Sequence, residues 1–383
     1  MNENRTIKCL MHYDNPKLSH QKRAYHLAAA TKADYVFDVF NRLGYDVLIL
    51  SASRSKTVKA PAKTIRLNKN TTLQLLYSFG RGNAVKNKIS TLFFMIQYYI
   101  KCICSIKRND VVWVYHSLPF ISLLNLLKRI KKFTLILEVE EIYGDVINSK
   151  KTKKKESEMF QHSDAFIFPS YLLEEQFNYL NRPFAISHGT YRNSGVNGQL
   201  FQDGKIHVLY AGTLDKRMGS RLAINASLYL SNKYCIHIIG GGTDEEIKEV
   251  KTMVDEVNSK NLCRVFYDGI LTDKEYLEYV SSCQIGLCPH DPKESFNETS
   301  FPSKILSYMT NGLSVVSIKI NNVVSSDVND YMTYYEENTP QALAEAIISV
   351  SPVKRKEISE AINKLDNKFC NEVKNVLTAF TEG

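Results

Sequence analysis

Short apolar runs rich in β-branched and aromatic residues alternate with longer helix-compatible stretches along almost the whole chain. I-K-C-L-M-H-Y at 7–13 predicts a first strand, followed by the polar turn D-N-P-K-L-S-H. An Ala- and aromatic-rich stretch over about 21–43 predicts a helix that stops at Gly44, and Y-D-V-L-I-L-S a second buried strand. This β–loop–α–β opening predicts a doubly wound α/β domain, whose ligands lie beyond the carboxyl ends of its strands. Asn15 and His20, in the first loop, are therefore candidate ligand contacts.

Further strands are expected at 110–116 (D-V-V-W-V-Y-H) and within 133–146, the latter ending in acidic residues. His116, Glu138, Glu140 and Glu141 then fall at strand ends, near any chemistry of this half. S-D-A-F-I-F-P-S adds a strand, Y-L-L-E-E-Q-F-N-Y-L a helix, and the Gly/Asn-rich 192–205 reads as a linker. The pattern then restarts. I-H-V-L-Y-A-G-T is a strand, and Y-C-I-H-I-I-G-G-G a strand running into glycines that let backbone approach a ligand at Gly241. Two domains follow, 1–190 and 206–350, joined by a linker at 191–205, with helices over 351–383 expected to pack back across them.

The stretch 297–317 carries the sharpest local signal. It holds a polar loop, Pro302 at a first helical turn, a short helix, Gly312 as its stop, and a buried strand. Ser303 and Lys304 fall at the helix start, where unpaired N–H groups favour an anion, and a Lys there opposes the helix dipole. Two readings stay open at this point: a phosphate site, or an ordinary βαβ connection with a surface lysine.

Composition narrows the classes. Of 383 residues, 44% are hydrophobic and 23% charged, as in a soluble globular protein. Eight scattered cysteines without C-x-x-C argue for reduced thiols and against a zinc site; no metal is expected. The N-terminus shows no apolar signal region. Residues 1–200 hold 30 Lys+Arg against 15 Asp+Glu, a net of +15, whereas the rest holds 19 against 25, a net of −6. No nucleic-acid motif accompanies the basic half. The segment 86–107 is apolar with basic ends but interrupted by Ser90, Gln97 and Lys101, which suits a helix lying on an anionic membrane face better than one crossing it.

Y-A-G-T-L-D-K-R-M-G, H-I-I-G-G-G, Y-D-G-I-L-T-D-K-E-Y-L-E-Y, Q-I-G-L-C-P and F-P-S-K-I-L-S-Y-M-T-N-G-L-S-V-V-S occur in that order over 206–350. The ordered set resembles the nucleotide-sugar half of a GT-B glycosyltransferase close to family 4 (group 1). Over 1–190 the resemblance is looser. It implies two Rossmann-like domains facing a cleft, and transfer of a sugar from a nucleotide diphosphate sugar with retention, with no metal or other cofactor. Gly212, Thr213, Lys216 and Arg217 would line the diphosphate, with Gly241, Ser303 and Lys304 beside it, and Asp268, Gly269 and Ile270 near the base. The family's two glutamates, eight positions apart, align with Thr299 and Ser307; Glu298 lies one residue from the first. The common phosphate-loop Arg and Lys align with Thr213 and Met218, leaving Lys216, Arg217 or Arg221 as substitutes. Catalytic candidates are then Glu298, Thr299, His116 and Glu140, with Asn15, His20 and Glu141 for the acceptor. The implied partners are a nucleotide sugar, a saccharide or polyprenyl-diphosphate-linked acceptor and an anionic membrane surface, with the protein cytoplasmic and peripheral on the inner face of the plasma membrane. The altered glutamates also suit a second reading, a non-catalytic nucleotide-sugar-binding partner subunit.

Overall fold

The computed structural model describes residues 6–380 apart from 56, 81–83, 141, 147–148, 193–194, 196–197, 261–262, 295–296, 298–299 and 351–354. The described chain divides into two compact units. One comprises Met1–Pro169, Glu174–Ser187 and Phe369–Gly383; the other comprises Ser170–Leu173 and His188–Lys368.

The first unit is built on an eight-stranded sheet. Its strands are β1 (Thr6–Met11), β2 (Asp46–Ser51), β3 (Lys63–Arg66), β4 (Thr71–Leu75), β5 (Val111–Tyr115), β6 (Thr134–Glu138), β7 (Ala165–Phe168) and β8 (Phe184–Ile186). The order is β3-β4-β2-β1-β5-β6-β7-β8, parallel throughout except that β3 runs antiparallel to β4. The central strands read as apolar runs because both faces are covered: Ile7, Cys9, Leu10, Val112, Trp113, Leu135 and Leu137 are all buried.

The first helix spans Leu27–Arg42, later than the 21–43 stretch suggested. Residues before it are taken by other bonds. Arg23 forms a bridge to Ser55, and its guanidinium donates to the carbonyls of Ser53, Pro61 and Leu76 and to Gln21. That holds 22–26 out of the helix. Strands β3 and β4 carry little sustained hydrophobicity and were not expected from the pattern.

The second unit holds a six-stranded, wholly parallel sheet. Its strands are β9 (Ile206–Ala211), β10 (Tyr234–Ile239), β11 (Arg264–Gly269), β12 (Ile285–Cys288), β13 (Ser314–Ile318) and β14 (Met332–Tyr335), ordered β11-β10-β9-β12-β13-β14. Helices Asp244–Lys260, Asp273–Ser282, Lys304–Thr310 and Pro340–Ser349 connect or cover them. Both sheets therefore show the doubly wound arrangement expected.

A polar knot secures the ends of the second unit. Lys368 donates to Asp327 at 2.6 Å, the Tyr171 hydroxyl reaches the same carboxylate at 3.1 Å, and the Asp327 amide donates to His188 Nε2 at 3.3 Å. These partners hold the Asp327 carboxyl below the usual range despite half-burial. The bonds explain why 170–173 groups with this unit rather than with the strand β7 that precedes it.

Candidate functional site

In the second unit the donor-side candidates fall on the loops after β9, β10 and β11 and on the short helix Lys304–Thr310. That helix has only seven residues, too few for a sustained dipole, so the side chain of Lys304 matters more than the helix start. Its position is fixed from below. Ile305, Leu306, Tyr308 and Met309 are buried, and the Tyr308 hydroxyl accepts from the Ala211 amide at 2.8 Å, tying the helix to the end of β9. Tyr308 can lie there because β12 carries Gly286: a Cβ at that position would stand 2.3 Å from the ring. Gly240 serves a similar purpose, since a Cβ there would stand 1.7 Å from the Gly212 carbonyl oxygen.

The outcome is an ammonium held against the glycine loop. Lys304 Nζ lies 4.5 Å from the centre of the Tyr210 ring and would be 3.2 Å from a Cβ at Gly212. It is buried and makes no hydrogen bond with any of the described residues. Burial pushes its pKa down. A positive charge out of water without a donor-acceptor partner is costly, and an anion arriving at this point would relieve that cost. The neighbouring His290 is buried too; burial, and then the Lys304 charge, push its pKa down to about 3, so it is a neutral imidazole at physiological pH.

The other cations considered for the diphosphate have carboxylates of their own. Arg217 is paired with Asp215 at 2.7 Å, Lys216 stands 3.5 Å from Glu249, and Arg221 donates to Glu249 at 2.7 Å and to the Leu214 carbonyl. These pairings leave Lys304, of the four, as the cation turned toward the glycine loop. The Thr213 carbonyl accepts from the Tyr210 hydroxyl at 2.7 Å. Gly241 is half-buried, and a Cβ there would meet the Ile270 side chain, itself 67% exposed at the rim. Asp268 accepts from Tyr279 at 2.7 Å and lies 3.1 Å from His237, and Gly269 turns the chain beside it with φ of 74°. Ser303 is exposed at the start of the short helix, and the Ser307 hydroxyl lies 3.1 Å from that of Tyr276. Glu298 and Thr299 lie outside the described residues, as does Glu141.

In the first unit a cavity of about 550 Å³ opens at the carboxyl ends of β1 and β5. His12, Lys22, Tyr25, His26, Tyr115, His116, Phe120 and Tyr143 are among its walls; Asn15 and His20 are not. Asn15 stays close to Asp14, its amide donating to that carboxylate at 2.9 Å, and His20 is exposed at the end of the turn Pro16–Gln21.

His116 is the sequence candidate that the cavity does include. Its Nε2 lies 3.3 Å from Glu156, whose carboxylate also accepts the amides of Tyr143 and Gly144 at 2.9 and 2.6 Å. Glu140 has a different surrounding. It pairs with the buried Lys32, which also lies 3.5 Å from Glu138 and donates to the Ser187 carbonyl at 3.0 Å. Burial pushes the Glu138 carboxyl up to about 8, against the pull of Lys32 and of the Trp113 N–H at 2.9 Å. Glu140 is thus part of an ion-pair cluster and is not one of the cavity-lining residues.

Residues 205–351 match the model of a protein family, "Glycosyl transferases group 1". No curated protein matches the chain by sequence. Among solved structures, one similar chain is titled "Trehalose-6-phosphate from E. coli bound with UDP-2-fluoro glucose". It is 11% identical with a TM-score of 0.65, and 98% of each chain is covered. Another is an α,α-trehalose-phosphate synthase (UDP-forming) from Burkholderia xenovorans in complex with glucose-6-phosphate, 10% identical with a TM-score of 0.65, covering 98% of this chain and 100% of that one. A third, from Burkholderia multivorans, is 11% identical with a TM-score of 0.63, covering 98% and 96%. At such identities the structures speak for the fold, and the family model speaks for the second unit. The class they define is a glycosyltransferase of GT-B fold. Residues 205–351 are the part that resembles the group 1 type.

Proposed function

We propose that this glycosyltransferase moves a hexosyl group from a nucleotide diphosphate sugar to a saccharide acceptor, with retention at the anomeric carbon. The donor is held by the second unit, its diphosphate against Lys304 and the Gly212 loop and its base near Asp268–Ile270. The observation that carries this reading is the buried Lys304 ammonium without a hydrogen-bond partner among the described residues. When the bond from the anomeric carbon to the phosphate oxygen breaks, negative charge collects on the leaving diphosphate. A cation already in place there stabilises that charge without having to reorganise. Neutral His290 adds no competing proton at this point.

The acceptor is placed in the cavity of the first unit, whose tyrosines and imidazoles suit the apolar faces and hydroxyls of a sugar ring. The reading extends to a lipid-linked acceptor in cell-surface polysaccharide assembly (capsule, O-antigen or exopolysaccharide), met at an anionic membrane face. What supports it is the helix Ala84–Ser105. Val85, Ile89, Leu92, Phe93, Ile96 and Ile100 are each 44–64% exposed, while Phe94, Tyr98 and Cys102 are buried on its other side. At 100° per residue the six exposed side chains fall within an arc of about 100°, a stripe wide enough to lie in a headgroup layer. Lys86 and Lys88 at one end and Lys107 and Arg108 at the other are exposed. No described helix is long and apolar enough to cross a membrane.

The test is a panel of UDP-, GDP- and dTDP-sugars, followed for nucleotide release and thermal shift together. Stabilisation by one nucleotide with turnover, faster when a lipid-linked saccharide is added, supports the proposal. Stabilisation without release, whatever the acceptor, would point instead to a non-catalytic nucleotide-sugar binder.

A further inference from the structure

The lining of the cavity at the carboxyl ends of β1 and β5 is rich in positive charge. Lys22, Arg23 and His26 contribute to it from the segment that leads into the helix Leu27–Arg42. Lys22 is exposed, and its backbone is left-handed with φ of 46°, a conformation that costs a lysine free energy. The bond from its amide to the Ser19 carbonyl, 3.0 Å long, helps to hold it there. His26 precedes the helix, is exposed, and makes no capping bond with its side chain. Among the described residues, neither side chain has a hydrogen bond or an ion pair, and no carboxylate lines the cavity.

Arg23 is the buried member, only 5% exposed. Its Nε donates to the Gln21 side-chain oxygen and its two Nη atoms to three carbonyls. Four of its five N–H groups are therefore committed, every one to an uncharged oxygen. The carboxylate that acts on it is Asp14, which is buried, accepts the Asn15 amide and forms no ion pair with Arg23. Asp14 thus offsets the guanidinium only at a distance. A buried charge without a contacting counter-charge is costly, and low-dielectric walls focus its field into the opening beside it. We infer that the acceptor held here carries an anionic group, a carboxylate or a phosphate, seated against Lys22 and His26 in the field of Arg23. The inference rests on the reading of this cavity as the acceptor site.

Other lining residues suit the rest of a sugar. His12 Nδ1 lies 3.1 Å from the Ala52 carbonyl, and the ring stacks on Phe120 with 5.4 Å between centres. Burial pushes the His12 pKa down, against the pull of that carbonyl and with a smaller push from His26, so the imidazole is neutral at physiological pH. Its one hydrogen is on Nδ1, because a carbonyl can only accept. Nε2 then offers a lone pair to a hydroxyl and no hydrogen to an anion. The lining therefore offers two kinds of contact: His12 takes a hydroxyl, while Lys22 and His26 take the charge. A neutral saccharide would use the first and leave the second unanswered. The charge can come from an acid group on the sugar, from a phosphate on the sugar or from the diphosphate of a lipid carrier, and all three present the same chemistry to Lys22.

The full chain is titrated at low salt with glucose, glucuronate, mannose-6-phosphate and farnesyl diphosphate, each followed by saturation-transfer NMR of the ligand. The same titrations are run on Lys22→Met combined with His26→Gln, and on Lys304→Met. At least one anionic probe should bind the wild type about 10-fold more tightly than glucose, a margin that shrinks as salt rises. The double variant, whose substituted side chains are both exposed, should keep its melting temperature and its glucose binding and lose the margin. Lys304→Met should keep the margin, which separates this site from that of the diphosphate. A failure of the donor reading would show in the nucleotide panel and leave these affinities unchanged. A margin for glucuronate or mannose-6-phosphate puts the charge on the sugar; one for farnesyl diphosphate alone puts it on the lipid carrier. No anionic probe binding the wild type more tightly than glucose would overturn the inference. A margin that survives in the double variant, or vanishes in Lys304→Met, would overturn it equally by placing the anion elsewhere.

Discussion

The Lys304 ammonium lies 4.5 Å from the centre of the Tyr210 ring, and no described residue offers it a hydrogen bond. The aromatic face compensates part of its lost hydration, about 0.5–2 kcal/mol, and leaves the rest as a standing cost. Lys304→Met keeps the length and apolar body of the side chain and removes that cost. The variant should melt at a higher temperature than the wild type without ligand, while gaining less from added nucleotide. Paired thermal melts with and without nucleoside diphosphate check both signs.

Gly286 sets the place of the Lys304 helix through Tyr308. Gly286→Ala puts a methyl group where the Tyr308 ring lies and should destabilise the fold by about 1–3 kcal/mol, in line with overpacking of a tight core. Gly286→Ala combined with Tyr308→Leu should recover part of that loss, because the smaller side chain reopens the space. Urea denaturation of the three proteins reads the difference.

His290 makes stability depend on acid. Its folded pKa is pushed down to about 3. Unfolded, it titrates near 6.5, so between these values the unfolded chain binds the extra proton and folding stability rises with pH. Stability is therefore lost as pH falls from about 6.5 toward 3, with about 2 kcal/mol gone from this group by pH 5. Other groups titrate in the same range, so the quantity to read is the difference between wild type and His290→Gln. The variant should lose less stability between pH 7.5 and pH 5.

The exposed stripe of the helix Ala84–Ser105 makes a prediction about membranes. Wild-type protein should float with vesicles containing anionic phospholipid, and less so as salt rises, because each lysine near the surface contributes about 1 kcal/mol that screening removes. Ile89→Glu with Ile96→Glu should abolish flotation without lowering the melting temperature, since both positions face away from the buried side. Equal flotation of the double variant would remove this helix from any membrane contact.

The sequence made the fold legible because both sheets are parallel and their central strands are continuous apolar runs. Strands β3, β4 and β14 were missed: β3 is mostly exposed, β14 mostly half-exposed, and β4 buries only Thr71, Leu73 and Leu75. The start of the first helix was misplaced because Arg23 is spent on three loop carbonyls, which no periodicity reports. Lys304 was legible from its place after Pro302, in conflict with the helix it begins. Its burial over Tyr210 was not, since that comes from Tyr308 reaching Ala211 across 97 positions of sequence. The cavity of the first unit shows the same limit. His116 was found at a strand end, but His12, Tyr25 and His26 are brought beside it by a loop with no motif of its own.

The direct test of the donor site is calorimetric titration of nucleoside diphosphates and their sugars into wild-type protein and Lys304→Met at one pH and salt. Removing a charge-assisted contact to a phosphate costs about 1.5–3 kcal/mol, so the variant should bind the preferred nucleotide about 10–100-fold more weakly. Equal affinity in the two proteins would mean that the diphosphate does not lie on Lys304, and would contradict the account of the site.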